Sequence, residues 1–359
     1  MSLTEAFSGR RVLVTGHTGF KGAWICEWLL ALGAEVHGFS LEPDTEPSLF
    51  DQLDLANRIH GHRIGDVRNA KVIHQTMVEV RPDFVFHLAA QPLVRYSYKN
   101  PVETFETNVT GTLNVLEALR VAARPTTCVV ITTDKVYEND GAGTAFEESD
   151  SLGGHDPYSA SKGAAEIVVH SYRRSFFQDG PVRVGTARAG NVIGGGDWAR
   201  DRIVPDIIRA LQAGEPIPVR NPSATRPWQH VLEPLGGYLA LAQALEKAGS
   251  SEERERLSRF NFGPAPGGER PVRDLLEEML KHCPGTWEDL SDATAVHEAT
   301  RLDLSIARAQ RELGWQPKWN FEQTVRETML WYNPSQIGGK SPSKQCLEQI
   351  IRYQDLPLS

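Results

Sequence analysis

Apolar residues in this chain fall into short unbroken runs, and between the runs they recur every three or four positions. Arg11 to Gly16 (RVLVTG) is such a run, read as a buried strand that stops at a tight turn. After it, Trp24, Ile25, Trp28, Leu29 and Leu32 are spaced for one apolar face of a helix, and Gly33 closes that helix as a C-cap. The alternation continues: Glu35 to Leu41 reads as a second strand, Arg63 to Asp66 as a third and Asp83 to Ala90 as a fourth. Lys71 to Val80 has helical spacing, and Thr104 to Ala122 predicts a longer helix with Val109, Leu113, Leu116 and Leu119 on one side. Cys128 to Thr132 is the fifth strand and Val182 to Ala189 the sixth. Strands alternating with helices in this way predict an α/β fold with a doubly wound parallel sheet, whose ligands lie at the carboxyl ends of the strands.

The alternation breaks after Gly190. Gly194 to Gly196 and the proline-rich segment Glu215 to Trp228 read as loops, with Arg202, Arg220 and Arg226 in or beside them. Helical runs follow at Leu235 to Ala248, Arg273 to His282, Leu302 to Leu313 and Phe321 to Tyr332. Glu252 to Ser258 reads as a solvated helix or linker, and Gly338 to Ser343 as a mobile loop. A second, smaller mixed α/β domain laid over the sheet is therefore expected.

Composition removes several classes of function. A formal net charge of -8 with no basic block argues against a nucleic-acid surface. Cys26, Cys128, Cys283 and Cys346 are far apart, which indicates neither a metal site nor a disulfide framework. Met1 to Arg10 lacks the apolar core of a signal peptide, and no stretch is long enough to span a bilayer, so a cytoplasmic protein is expected.

The chemistry is carried by a few spacings. Glycines at 16, 19 and 22 form G-x-x-G-x-x-G between the first strand and the first helix, the phosphate-binding opening of a Rossmann unit. In that reading Gly16 allows the turn, Gly19 lets backbone approach a pyrophosphate, and Gly22 packs helix on strand. Tyr158 and Lys162 lie four residues apart, on one face of a helix. A phenol accepts a proton at neutral pH only when a cation stabilises its phenolate, and Lys162 is placed to do so. Thr133, at the end of the fifth strand, supplies a hydroxyl for the same substrate oxygen. With a nicotinamide opposite, the three groups take a proton from an alcohol while hydride leaves its carbon. The expected division is then a dinucleotide-binding domain over 1–188 and 228–250, and a substrate domain over 189–227 and 251–359.

The phrases GHTGFKG, HLAAQ, TTDKVY, DPYSASK and RAGNVIGGGDWARDR resemble the extended short-chain dehydrogenase/reductase family, the NAD-dependent epimerases and dehydratases. With PSLF and RPWQHVLEPLGGYLALA, the resemblance runs from about Arg11 to Tyr332 and narrows to the nucleotide-sugar 4,6-dehydratases, with CDP-glucose as the implied substrate. It implies a lyase reaction with no net redox change. Tyr158 deprotonates the hydroxyl on carbon 4 of the glucose as its hydride passes to NAD. The ketone acidifies carbon 5, water leaves across carbons 5 and 6, and the hydride returns to carbon 6. Asp134 matches the family's acid for the departing hydroxyl. Related enzymes carry a glutamate in the next position as base, whereas this chain has Lys135, which acts as base through a depressed pKa or, kept charged, stabilises the enolate.

The resemblance also places Gly16, His17, Gly19, Phe20 and Gly22, then Asp66 and Val67, then Leu88, Ala89 and Ala90, and Thr132, Tyr158 and Lys162, around NAD. His17 is bulky where relatives have a small residue, which predicts loosely held NAD. The second strand ends at Phe39-Ser40 without the usual ribose-binding carboxylate, and no arginine adjoins it for a 2′-phosphate. Asp66 matches an adenine contact; read from its neighbours alone, it is the N-cap of the helix starting near Asn69. Arg226 and Asn191 match diphosphate contacts, Arg202 and Arg301 are further candidates, and Gln91 is expected to face the sugar. His87 and His230 read as packing residues. Relatives pair through helices equivalent to Thr104 to Ala122 and Tyr158 to Phe177, implying a homodimer or homotetramer, and feed deoxysugars into surface polysaccharides such as lipopolysaccharide O-antigen.

Three other readings compete. A nucleotide-sugar 4-epimerase needs only Thr133, Tyr158 and Lys162, so the Asp134-Lys135 pair favours dehydration; a dehydratase for a dTDP or GDP sugar differs only in base recognition. A nonenzymatic NAD-responsive binding protein on this fold can lose the tyrosine or lysine, and here both are present.

Overall fold

The computed structural model describes residues 2–139, 145–291, 303–332 and 340–356. Its centre is a sheet of seven parallel strands: β1 (Arg11–Thr15), β2 (Glu35–Ser40), β3 (Gly61–Ile64), β4 (Phe84–His87), β5 (Thr126–Ile131), β6 (Val182–Ala189) and β7 (Arg259–Phe262). The spatial order is β7-β6-β5-β4-β1-β2-β3. The order reverses between β1 and β4, and a crevice opens there at the carboxyl ends of the strands.

The strands at the centre are mostly apolar because both faces are covered. Val12 and Val14 of β1 join Phe84 and Phe86 in one layer, beneath α1 (Phe20–Ala31) and α6 (Leu232–Lys247). Leu13 and Val85 point into the opposite layer, beneath α2 (Ala70–Val80), α3 (Gly111–Ala122) and α4 (Pro157–Tyr172). Each such side chain, fully buried, contributes roughly 1.5–3 kcal/mol relative to exposure. A further apolar cluster lies beyond the sheet, where Val204, Ile207 and Ile208 of α5 (Ile203–Ala213) meet Leu275, Leu276 and Met279 of α7 (Val272–Leu280) and Val325 and Met329 of α8 (Phe321–Tyr332).

The structure corrects the sequence reading in several places. β3 starts two residues earlier than expected, because Gly61 pairs with His37 and the chain leaves the sheet after Ile64. β4 stops at His87, and the following residues turn beneath the glycine loop. The helix expected at Thr104 starts at Pro101, a common first helical residue, and includes one wider turn over Glu106–Thr110 before α3. Arg259–Phe262, expected in the smaller unit, instead pairs parallel with β6 as the seventh strand. The segment Ser251–Arg256 is a helix, capped by Ser250 and Glu253. Pro342 and Ser343, expected in a loop, open α9 (Pro342–Asp355), which buries Cys346, Ile350 and Tyr353; Gly338 lies outside the described residues. Leu302 also lies outside them, and the helix expected from it covers Ala307–Leu313.

Among the described residues no helix is long and apolar enough to cross a membrane.

Candidate active site

The glycine turn sits at the reversal point of the sheet. Gly16 has φ +77°, and a Cβ there would stand 2.6 Å from the backbone nitrogen of Ala89, so the loops after β1 and β4 meet with no room for a side chain. A Cβ on Gly22 would collide with the Gly16 carbonyl, so helix and strand require glycine there too. Gly19 differs: its space is open except for the Gly16 oxygen at 3.5 Å, and it is the N-cap of α1 with no side chain to satisfy the helix's first N–H groups. The turn therefore presents bare backbone donors at the positive end of a helix, a cradle of the kind that takes a diphosphate.

His17 does not project into that cradle. It is fully buried, its Nε2 lies 2.8 Å from Nδ1 of His62 on β3, and its ring meets Phe50 edge-on at 5.3 Å. Gly38 of β2 leaves the space its ring fills. Burial, then the neighbouring His62, holds its pKa down to about 4, with Phe39 opposing. Next to it, Thr18 Oγ1 lies 2.9 Å from both Ser40 Oγ and the Leu41 carbonyl, so hydroxyl and backbone groups adjoin the buried imidazole.

Leu88 N–H donates to the Thr15 carbonyl at 3.0 Å, and Ala89 N–H to Thr15 Oγ1 at 3.3 Å, which fixes Leu88, Ala89 and Ala90 beside the turn. His87 is a packing residue, bonded to Thr15 Oγ1 at 2.7 Å and Thr112 Oγ1 at 3.1 Å, its pKa driven by burial down to about 3. His230 is likewise buried, against Trp24 and Trp319. Asp66 is not a helix cap. Asn69 holds that position, accepting from Val72 N–H, while Asp66 accepts from the Arg68 backbone and guanidinium, both at 2.8 Å. Val67, buried beside it, lies under Gly111 of α3.

At the other end, α4 starts from an Asp156 cap with Pro157 in its first turn, and Tyr158 N–H donates to Ser97 Oγ at 3.1 Å. These bonds leave the Tyr158 ring nine-tenths buried at the mouth of β5. Burial pushes its phenol up to about 12; the hydrogen bond with Thr133 and the charge of Arg202 pull it back, while Asp134 and Asp156 push it further up. Thr133 also donates to Asp134 Oδ1 at 2.9 Å, so acid, hydroxyl and phenol stand in one row. Asp134 Oδ2 is buried with no hydrogen-bond partner among the described residues, and Gly190 gives it room: a Cβ at 190 would lie 2.7 Å away. Lys135 follows on the same tight turn, its backbone N–H on Thr133 Oγ1 at 3.4 Å. Lys162 donates to the Ile131 carbonyl at 3.0 Å, and burial lowers its pKa to about 8 against the pull of Glu166.

The other expected ligand contacts are spread more widely. Arg202 pairs with Asp197 at 3.1 Å, which with burial opposing holds its guanidinium firmly charged, and its field reaches Tyr158. Arg226 is buried in a short strand, donating to the Thr225 carbonyl at 3.0 Å. Asn191 follows the end of β6. Gln91 is tied up in its own loop: its amide donates to Thr104 Oγ1 at 2.9 Å and accepts from Leu93 N–H at 2.6 Å. The Thr132 hydroxyl likewise turns inward, to Glu166 at 2.6 Å. Arg301 lies outside the described residues.

Sequence reasoning missed the network behind α4. Glu166, one turn beyond Lys162, accepts from Thr132, from Thr186 at 2.8 Å and from two nitrogens of Arg188 at 3.0 and 2.9 Å, while Arg188 also donates to Tyr137 Oη at 2.7 Å. A carboxylate on the buried face of α4 and an arginine inside an apolar strand were the available signals. Asp197, which pairs with Arg202 five residues further along the same loop, was also missed.

A Rossmann sheet with a tyrosine, a lysine and a threonine gathered at its carboxyl edge defines the class. The NAD dependent epimerase/dehydratase family model matches residues 12–255, and the chain belongs to that family. It is 41% identical over 336 residues to a CDP-glucose 4,6-dehydratase of Salmonella typhimurium, covering 91% of each chain. It is 27% identical to a dTDP-glucose 4,6-dehydratase of Xanthomonas campestris, over 94% of this chain and 98% of the relative. In fold it is similar to the dTDP-glucose 4,6-dehydratase of Streptomyces venezuelae solved with NAD and TYD bound, at TM-score 0.76 and 23% identity, covering 93% and 99% of the two chains. The UDP-glucose 4-epimerase of Thermus thermophilus in complex with NAD gives TM-score 0.74 at 26% identity, over 90% and 99%.

Proposed function

We propose that this chain is an NAD-dependent hydro-lyase that converts CDP-D-glucose to CDP-4-keto-6-deoxy-D-glucose. The row Tyr158–Thr133–Asp134, with an acid whose free oxygen faces the space beside Gly190, carries the reading. An epimerase has no use for that acid. The 41% identity to the Salmonella enzyme favours CDP over dTDP and GDP sugars.

The open cradle at Gly19, bounded by Gly16 and Gly22 and flanked by Phe20 and the backbone of His17, suits the dinucleotide's diphosphate. Asp66 and Val67 would lie at its adenine end, and Leu88 to Ala90 with Thr132, Tyr158 and Lys162 at its nicotinamide end. Bound there, NAD would accept hydride from carbon 4 of the sugar and give it back at carbon 6. Tyr158 takes the proton of the carbon-4 hydroxyl, and Thr133 holds that oxygen in place. Lys162, one helical turn on, favours the phenolate that burial disfavours. With carbon 4 a ketone, the Lys135 amine takes the proton of carbon 5 while Asp134 protonates the departing carbon-6 hydroxyl, so that water leaves; Lys135 returns a proton to carbon 5 when the hydride comes back to carbon 6. Arg226, Arg202, Asn191 and Arg301 are the groups proposed for the substrate's diphosphate.

The division into a dinucleotide unit and a substrate unit is part of this reading, with β7 moved to the first. So is a cytoplasmic homodimer or tetramer. Val102, Leu113, Val121, Ile167 and Phe176 leave apolar side chains exposed along α3, α4 and their flanking turns, as a paired-helix interface requires, and the free thiols fit a reducing compartment.

The test is incubation with NAD and, separately, CDP-glucose, dTDP-glucose, UDP-glucose and GDP-mannose in deuterated water, following product mass and NADH absorbance. A 4-keto-6-deoxy product from CDP-glucose, with solvent deuterium at carbon 5 and no lasting NADH, is expected. A 4-epimer without deuterium would overturn the dehydratase reading.

A further inference from the structure

Arg188 lies inside β6 and is buried there, and its planar fork reaches two other elements at once. Nε and Nη2 donate to the two carboxylate oxygens of Glu166 on α4, at 3.0 and 2.9 Å. Nη1 donates to Tyr137 Oη at 2.7 Å. Tyr137 is buried as well and passes the bond on: its hydroxyl donates to Asn261 Oδ1 on β7 at 2.6 Å, and its ring stacks on Phe146 at 4.8 Å. Burial pushes the Tyr137 phenol above its ordinary pKa against the pull of Arg188, so it stays protonated and keeps its donor.

The placement matters because of what stands between Thr132 and Tyr137. Thr133, Asp134 and Lys135 occupy that interval, and Asp134–Val136 is a single tight turn. A turn so short has little hydrogen bonding of its own, and its place is set by its two ends. The upstream end is tied by Thr132 Oγ1, which donates to Glu166 at 2.6 Å. The downstream end is tied by Tyr137 to Arg188, with the Val136 carbonyl accepting from Gly153 N–H at 2.8 Å. Both ties run to one buried ion pair, whose carboxylate belongs to the helix that carries Tyr158 and Lys162. Well-packed apolar residues can hold a helix on a sheet as firmly as such a pair. What the guanidinium adds is direction, since its donors lie in one plane at set angles.

We propose that Tyr137, held by Arg188, is a positioning residue for the elimination step: it fixes the turn from which Asp134 and Lys135 address carbons 6 and 5. This inference rests on the reading given under Proposed function. In that step the carbon-5 proton goes to the Lys135 amine, its electron pair becomes the second bond between carbons 5 and 6, and the carbon-6 oxygen leaves as water with the proton of Asp134. Two proton transfers depend on the turn, so a small displacement of it is costly. Oxidation at carbon 4 draws instead on Tyr158, Lys162 and Thr133, which α4 and the end of β5 carry. The two ties are therefore unequal, and loss of the Tyr137 tie falls on elimination.

The experiment follows a single turnover by rapid mixing, with the full-length protein loaded with NAD and in excess over CDP-glucose. The rise of NADH absorbance reports oxidation at carbon 4, and its decay reports elimination with return of the hydride. Wild type, Tyr137→Phe, Arg188→Lys and the double variant are compared. Thermal melting confirms that each is folded, and quenching of tryptophan fluorescence on titration with NAD confirms that each binds the cofactor. Tyr137→Phe is expected to slow the decay about tenfold, the order of one lost hydrogen bond to a charged group, and to leave the rise within about twofold of wild type. Arg188→Lys keeps the charge beside Glu166 but lacks the fork, so it is expected to slow the decay likewise. Tyr137→Phe is expected to add nothing further in that background. Rise and decay slowed equally would show a general loosening of the site and would overturn the proposal, as would a decay equal to wild type or effects that multiply in the double variant. The two single variants answer the question separately, so either one that folds decides it. Failure of the wild type to form NADH from CDP-glucose would instead bring down the enzymatic reading on which the proposal rests.

Discussion

The two ends of the crevice are built on opposite electrostatic plans. Around Tyr158 the charges are buried and multiply bonded: Glu166 alone accepts from Thr132, Thr186 and Arg188, and Asp134 is fixed by Thr133. Around His17 there is no buried ion pair but an imidazole held uncharged by burial, with His62 Nδ1 against its Nε2, and the Thr18–Ser40 hydroxyl pair. Chemistry needs fixed charge at fixed positions, and burial makes such charge effective while hydrogen bonds keep it from collapsing. The adenosine ribose proposed for that end needs only shape and hydrogen bonding, so no buried charge is required beside His17.

The largest expected effect is on the charged end. Glu166→Ala leaves Arg188 buried without its carboxylate, and loss of one partner of a buried pair costs about 4 kcal/mol. A urea denaturation series should show this as a lower midpoint at unchanged slope. A midpoint equal to wild type would mean that the network is not what ties α4 to β5 and β6.

Next comes acid sensitivity at the His17 end. The folded-state pKa of His17 lies near 4, below the ordinary value of 6.5, so the unfolded chain takes up the proton first. Stability from this group is complete above about pH 6.5 and is lost as pH falls towards about 4, by about 2 kcal/mol at pH 5. His87 and His230, both lowered to about 3, add to the same trend. His17→Asn should flatten the dependence of the urea midpoint on pH between about 7 and about 5; a slope equal to wild type would show that His17 is not held neutral.

The smallest effect tests the ribose side. Ser40→Asp supplies the missing carboxylate and should tighten NAD about tenfold while weakening NADP, read by the same fluorescence titration. Equal changes for both dinucleotides would place the ribose elsewhere.

How far the sequence disclosed this molecule depended on whether a feature is local. β1 and β6 were legible to the residue or nearly so, because strands covered on both faces read as apolar runs. β3 was displaced by two residues, because an edge strand of sequence GHRI carries no such run. β7 (RFNF) was hidden by its polar interruptions, and α9 by an opening Ser341-Pro342 that reads equally as a loop and as a capped helix start. In the site, the four-residue spacing of Tyr158 and Lys162 and the glycine turn were visible because neighbours in sequence create them. Glu166 was not, since its partners Thr132, Thr186 and Arg188 come from the end of β5 and from β6. Asp66 reads as a helix cap because two capping residues stand three apart, and Asn69 occupies the position.

The contact between His17 and Gly38 ties two positions twenty-one residues apart into a single inherited unit. With the imidazole in place, any side chain at 38 overpacks β2, at about 1–3 kcal/mol; with a small residue at 17 and glycine kept, β2 is left over a void. A descendant of this chain can restore the usual small residue of the glycine turn without penalty only by enlarging residue 38 as well. Substitutions at the two positions should therefore travel together through its lineage, whatever happens to the catalytic residues.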